Sequence, residues 1–132
     1  MILDERWEAM LRAAIAVQGH REVSERVDAG SVAAAVLSST GTIYTGICVD
    51  AVCSLGVCAE RAALFAMLTG GDDRVERVVA VRDGGEVVAP CGACRELLAQ
   101  IQTGSYDGVK VLMDVEGDRV VSLGELTPDW WL

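Results

Sequence analysis

Three cysteines and one glutamate stand apart in a chain otherwise crowded with alanine, valine and leucine. Cys58 and Glu60 lie in Cys-Ala-Glu-Arg (58–61), Cys91 and Cys94 in Pro-Cys-Gly-Ala-Cys-Arg-Glu (90–96). Thiolates are strong zinc ligands, and a C-x-x-C spacing grips one ion from a single helical turn. Cys58 supplies a third ligand. Three protein ligands leave a tetrahedral zinc with one open position, as catalytic rather than structural sites do. Glu60, two residues beyond Cys58, is close enough to act on water at that position without being a ligand. A zinc-activated water and a carboxylate that carries its proton to a substrate nitrogen suit a hydrolytic deamination.

The same residues admit other readings. A C-x-x-C pair also serves as a thioredoxin-like dithiol or as half of a structural zinc site. Cys48 or Cys53 would close a Cys₄ site and make the protein a non-catalytic zinc-binding module. Both lie in or just after a strand, however, and Glu60 would then have no task. Cys48 and Cys53 are most simply small buried hydrophobes. His20, the one histidine, lies in a polar stretch and is read as no ligand.

Both cysteine clusters need helix starts behind them, because unpaired N–H groups and the positive dipole end favour thiolate over thiol. The hydrophobic pattern supplies these helices at 58–71, apolar on nearly every side, and at 91–104, directly after Pro90. A further amphipathic helix spans 2–17, with Leu3, Trp7, Met10, Leu11, Ala14 and Ile15 on one stripe. Strands are expected at 31–39, 42–50, 75–82, 109–115 and 119–123, the first two joined through Thr40-Gly41. Residues 19–30 read as a connection, and a short helical turn should precede Pro128. The order α-β-β-α-β-α-β-β implies an α/β protein with one mixed five-stranded sheet, since parallel strands need crossover helices.

Composition excludes several classes. A chain of 132 residues, 52% hydrophobic, has the size of one domain (1–132) with a packed core. Its net charge of −9, with no basic run, speaks against a polynucleotide partner. The longest apolar stretch, 62–68, is far too short for a membrane span, and the charged N-terminus is unlike a secretory signal. Five cysteines then favour metal chemistry over disulfides. A cytoplasmic location is expected.

Cys-Ala-Glu followed by Pro-Cys-x-x-Cys resembles the cytidine deaminase family. The likeness runs from about residue 31 to the tail, through SVAAAVLSSTGTIYTGICV, CAERAALF, PCGACRELL and LTPDWW. The first hairpin is more similar to the blasticidin-S deaminase branch, whereas CAER and CGAC are similar to ordinary tetrameric cytidine deaminases. The resemblance implies a three-layer α/β/α fold, one Zn²⁺ per chain on Cys58, Cys91 and Cys94, catalysis by Glu60, and a homotetramer with shared sites. Guanine and tRNA-adenosine deaminases carry His-Ala-Glu instead, so the Cys-first motif tilts toward free nucleosides.

The resemblance also assigns smaller roles. Three thiolates around Zn²⁺ carry a net −1, and Arg61 matches a family arginine that draws charge back from the sulfurs. The alternative for Arg61 is a surface arginine opposing the helix dipole, the kind of reading preferred for Arg95. The family's Asn-x-Glu pair, which holds a ribose hydroxyl, is matched by Cys48 and Asp50, and Ala59 is expected at the substrate. The usual aromatic that packs on the base is matched by Gly30. Trp130 and Trp131 either seal the core or close an active site, often a neighbour's. The expected reaction is hydrolytic deamination of a cytosine nucleoside, whether cytidine, deoxycytidine or a close analogue, to the uracil form plus ammonia. Blasticidin S or another small aminated heterocycle is the alternative.

Overall fold

A computed structural model describes residues 3–132. Helix α1 spans Glu5–Val17; residue 2, where the sequence pattern began this helix, lies outside the described residues. Asp4 caps it, its Oδ1 accepting the Trp7 N–H at 3.0 Å, and Glu5 and Glu8 suit the positive end of the dipole. The Arg77 guanidinium donates twice to the same Asp4 carboxylate and lies 5.0 Å from the Trp7 ring centre. That pairing fastens α1 to the sheet and holds the Asp4 carboxyl down to about 2.

The strands are β1 (Arg21–Ser24), β2 (Val27–Ser38), β3 (Ile43–Asp50), β4 (Val75–Arg82), β5 (Glu86–Val88), β6 (Lys110–Asp114) and β7 (Arg119–Ser122). Helices α2 (Ala59–Thr69) and α3 (Gly92–Ile101) complete the layers. The five expected strands form the body of the sheet, in the spatial order β3-β2-β4-β6-β7. Pairing is antiparallel except between β4 and β6, so the sheet is mixed.

The strand count differs from expectation, seven against five. Residues 19–30 are not a mere connection: β1 pairs antiparallel with the start of β2, which begins at Val27 rather than residue 31. All four β1 residues are exposed, so no apolar alternation betrays the strand. Short β5 folds back onto β4 past the Asp83-Gly84-Gly85 turn. A short helical turn, Gly124–Leu126, does precede Pro128.

Alternation along β2 divides the core. Ala33, Ala35 and Leu37 face α1 with Val79, Val81, Trp7 and Met10. Ala34 and Val36 face the other helices with Val78, Ala80, Leu64, Met67 and Leu98. Fully burying each large aliphatic side chain contributes roughly 1.5–3 kcal/mol. The alanines let helices approach closely, and Gly46 of β3 marks the tightest place. A Cβ there would collide with the backbone of Ala59, Ala62 and Ala63 in α2.

Topology fixes the site. β3 and β4 both run antiparallel to β2 and so point the same way, as does β6. The β3–α2–β4 and β4–α3–β6 crossovers advance in one direction along the sheet. Right-handed crossovers then put α2 and α3 on the same face, both starting at the same edge. The two cysteine clusters meet because both helices begin there.

Candidate active site

Cys58 is the N-cap of α2 and Cys91 the N-cap of α3, each with extended backbone and no side-chain capping bond. Their sulfurs are therefore free for other partners. A two-way backbone bridge between Val49 and Val57 returns the chain antiparallel to the end of β3 and delivers Cys58 to its position. Cys94, in the first turn of α3, is wholly buried.

The Cys58 and Cys91 sulfurs are 3.3 Å apart, those of Cys91 and Cys94 3.6 Å, and all three lie within 4.8 Å of one another. These are not disulfide lengths, and all five cysteines are free thiols. Sulfurs bound to a tetrahedral zinc at about 2.3 Å stand roughly 3.8 Å apart. The spacing therefore fits such an ion with little adjustment.

Charge argues the same way. Burial and the contact with Cys91 push the Cys58 thiol up, although Arg61 opposes this. Burial and the negative charge of Glu60 push Cys94 up strongly. Burial opposes ionisation of Cys91 too, but the Cys94 N–H and the neighbouring thiols outweigh it and hold Cys91 low. Three thiolates this close demand a cation, and a coordinating metal deprotonates its thiols outright. The donor set thus fits zinc on both geometry and charge.

Glu60, in the first turn of α2, is 4% exposed and lines the same cavity. Burial raises its carboxyl, against the opposing effects of its own backbone N–H and the charge of Arg61. Arg61 Nη2 donates to Cys58 Sγ at 3.8 Å, so this arginine turns toward the sulfurs rather than to solvent. Arg95 does something else: it ties the Pro90 and Leu126 carbonyls together, at 2.9 and 3.0 Å.

The cavity, of about 310 Å³, is lined by Cys58, Ala59, Glu60, Arg61 and Cys91. Ser31, Cys48, Asp50 and Gly56 line it too, with Val32, Val49, Val57, Val88 and Ala89. Cys48, Asp50 and Ala59 are thus brought to one space with Glu60. Neither Cys48 nor Cys53 joins the sulfur cluster, so no four-cysteine site forms among the described residues. Cys48 is buried as expected, but Cys53 is not: it is exposed in the 51–56 turn, at φ 59°. His20 sits at the surface beside Asp28, 3.2 Å away.

Neither tryptophan of the tail lines this cavity. Trp131 donates to Glu96 on α3 at 2.8 Å, and the buried Trp130 Nε1 has no partner among the described residues. No lining residue is aromatic. Gly30 explains the absence at its position: it adopts φ +87°, and a Cβ would strike the Gly19 carbonyl. Ser31 was not legible as a site residue, since nothing local distinguishes it from any strand serine.

Comparison with known proteins agrees with this geometry. Residues 4–106 match the family model described as the cytidine and deoxycytidylate deaminase zinc-binding region. The chain is 39% identical over 88 residues to a cytidine deaminase of Sporosarcina psychrophila, an alignment spanning 66% of this chain and 63% of that protein. It is 31% identical over 107 residues to a blasticidin-S deaminase of Bacillus cereus, spanning 74% of each. The crystal structure of the Mycobacterium tuberculosis cytidine deaminase superposes with a TM-score of 0.78 at 30% identity, covering 98% of this chain and 99% of that one. The fold, the sulfur cluster and the family match coincide on the same residues, and the chain belongs to the cytidine and deoxycytidylate deaminase zinc-binding family.

Proposed function

We propose that this protein hydrolyses the exocyclic amino group of a cytosine nucleoside or close analogue, releasing ammonia and the uracil form. The observation that carries the reading is the meeting of three thiols with one buried carboxylate, Glu60, at one cavity. Zinc bound by Cys58, Cys91 and Cys94 would supply the Lewis acidity that makes water nucleophilic near neutral pH. Glu60 takes a proton from the attacking water and delivers it to the ring nitrogen beside the amino-bearing carbon. A second transfer through the same carboxylate sends the remaining water proton to the departing amine, so the carbon–nitrogen bond breaks as the carbonyl forms. Arg61 draws charge from the sulfurs, and Ala59 and the valines exclude bulk water.

Charge favours a nucleoside over a nucleotide. The cavity carries Asp50 and Glu60, and its one cationic side chain, Arg61, is engaged with Cys58. A 5′-phosphate would find no counter-charge. A modified nucleoside such as blasticidin S is the second reading, favoured by the thiol at Cys48 and the lack of an aromatic at Gly30. Ammonia release from cytidine, deoxycytidine, deoxycytidylate, blasticidin S, cytosine and guanine decides between these. Turnover confined to the nucleosides is expected; activity on guanine alone, or a preference for deoxycytidylate, contradicts the reading.

We also infer a homotetramer in a reducing compartment, where five free thiols persist. Phe65 and Leu68 of α2 are 47% and 45% exposed, an apolar pair that contact with another subunit would cover. Sedimentation should give about four times the 14.0 kDa chain mass. A monomer at micromolar concentration would contradict it.

A further inference from the structure

We infer that Ser31 is the hydroxyl-recognising residue of the cavity, and that Cys48 acts on the substrate only by holding Ser31. The inference rests on the deaminase reading and concerns the part of the cavity lined by β2 and β3.

The strand geometry singles out Ser31. Successive side chains of a regular strand point to opposite faces. Yet Ser31 and Val32, neighbours in sequence, both line this cavity. The register between β2 and β3 slips between Ala29 and Ala33, and Gly30 takes its left-handed backbone at the same place. A bulge of this kind re-aims one side chain out of the alternation. The re-aimed residue is fixed at two points. Gln18 Nε2 donates to the Ser31 carbonyl at 3.0 Å and to Asp83 Oδ1 at 3.1 Å. The Ser31 hydroxyl lies 3.2 Å from Cys48 Sγ.

Cys48 is poorly suited to recognition itself. It is 7% exposed, and its sulfur already accepts the Val32 N–H at 3.3 Å besides touching Ser31. A thiol is also a weak donor and acceptor. With the Cys48 S–H turned to the serine oxygen, the Ser31 O–H is left to donate into the cavity. The Asp50 carboxylate, which lines the same cavity, can only accept. A donor and an acceptor together match a hydroxyl, which both accepts and donates, and the Asp50 charge repels a carboxylate or phosphate. The predicted ligand group is therefore a neutral sugar-like hydroxyl.

The test compares kcat/KM for cytidine with that for dideoxycytidine, which lacks both ribose ring hydroxyls. In Ser31→Ala the ratio of the two should fall about three- to tenfold, the size expected of one neutral hydrogen bond, and chiefly through KM for cytidine. Ser31→Thr, which keeps the hydroxyl, should retain most of the ratio. Cys48→Ala should lower it in the same direction, and Cys48→Ser, which can still hold Ser31, should not. An unchanged ratio in Ser31→Ala overturns the assignment of Ser31, and an unchanged ratio in Cys48→Ala overturns the positioning role. A wild-type protein that releases no ammonia from any cytosine compound overturns the deaminase reading itself, and this inference with it.

Discussion

Glu60→Gln should retain its zinc and its fold while losing nearly all turnover. The substitution preserves shape and keeps one oxygen, so the packing around a residue 4% exposed changes little. An amide cannot take up and release a proton at neutral pH. General acid–base groups contribute about 10²–10⁴-fold, and in the proposed mechanism a single carboxylate serves two successive transfers, so the loss should reach the upper part of that range. The check is ammonia release from cytidine, measured beside zinc content and circular dichroism of the same preparation. Near-normal kcat in a zinc-loaded variant would remove Glu60 from the mechanism.

Cys94→Ala should abolish zinc binding and bring activity to background. Cys94 is wholly buried at the start of α3, with Cys91 3.6 Å away and Cys58 in the same cluster. Two remaining thiols cannot hold the ion against water as three do. Metal binding also contributes to folding, because the unfolded chain has no preformed site. The variant should therefore melt lower than the zinc-loaded parent. Cys53→Ala is the control, since Cys53 is exposed and lies outside the cluster. It should keep one zinc per chain. Equal zinc content in the Cys94 and Cys53 variants would contradict the assignment.

Much of this was legible in the sequence because chemistry and periodicity coincide. Cys58 and Cys91 each stand where an apolar helical pattern begins, and both prove to be N-caps. The strand at 75–82 was expected with its observed bounds, since a run of valines flanked by turn residues leaves little choice. What escaped notice lacks an apolar signal. The β1 strand is exposed at every position and so reads as a loop. Ser31 depends on a bulge that arises from the pairing of three strands, which no local spacing encodes. Arg95 and Arg61 look alike in sequence, each following a cysteine-bearing helix start. Only the fold turns one toward the sulfurs and the other toward backbone carbonyls.

The central claim is a zinc held by three sulfurs with its fourth position open to chemistry. Zinc K-edge absorption on the purified, ligand-free protein tests it most directly, because sulfur and lighter neighbours scatter distinguishably. One zinc per chain with three sulfur neighbours and one oxygen or nitrogen neighbour is the predicted result. Four sulfur neighbours would contradict it, making the site structural and leaving Glu60 without a reaction to serve.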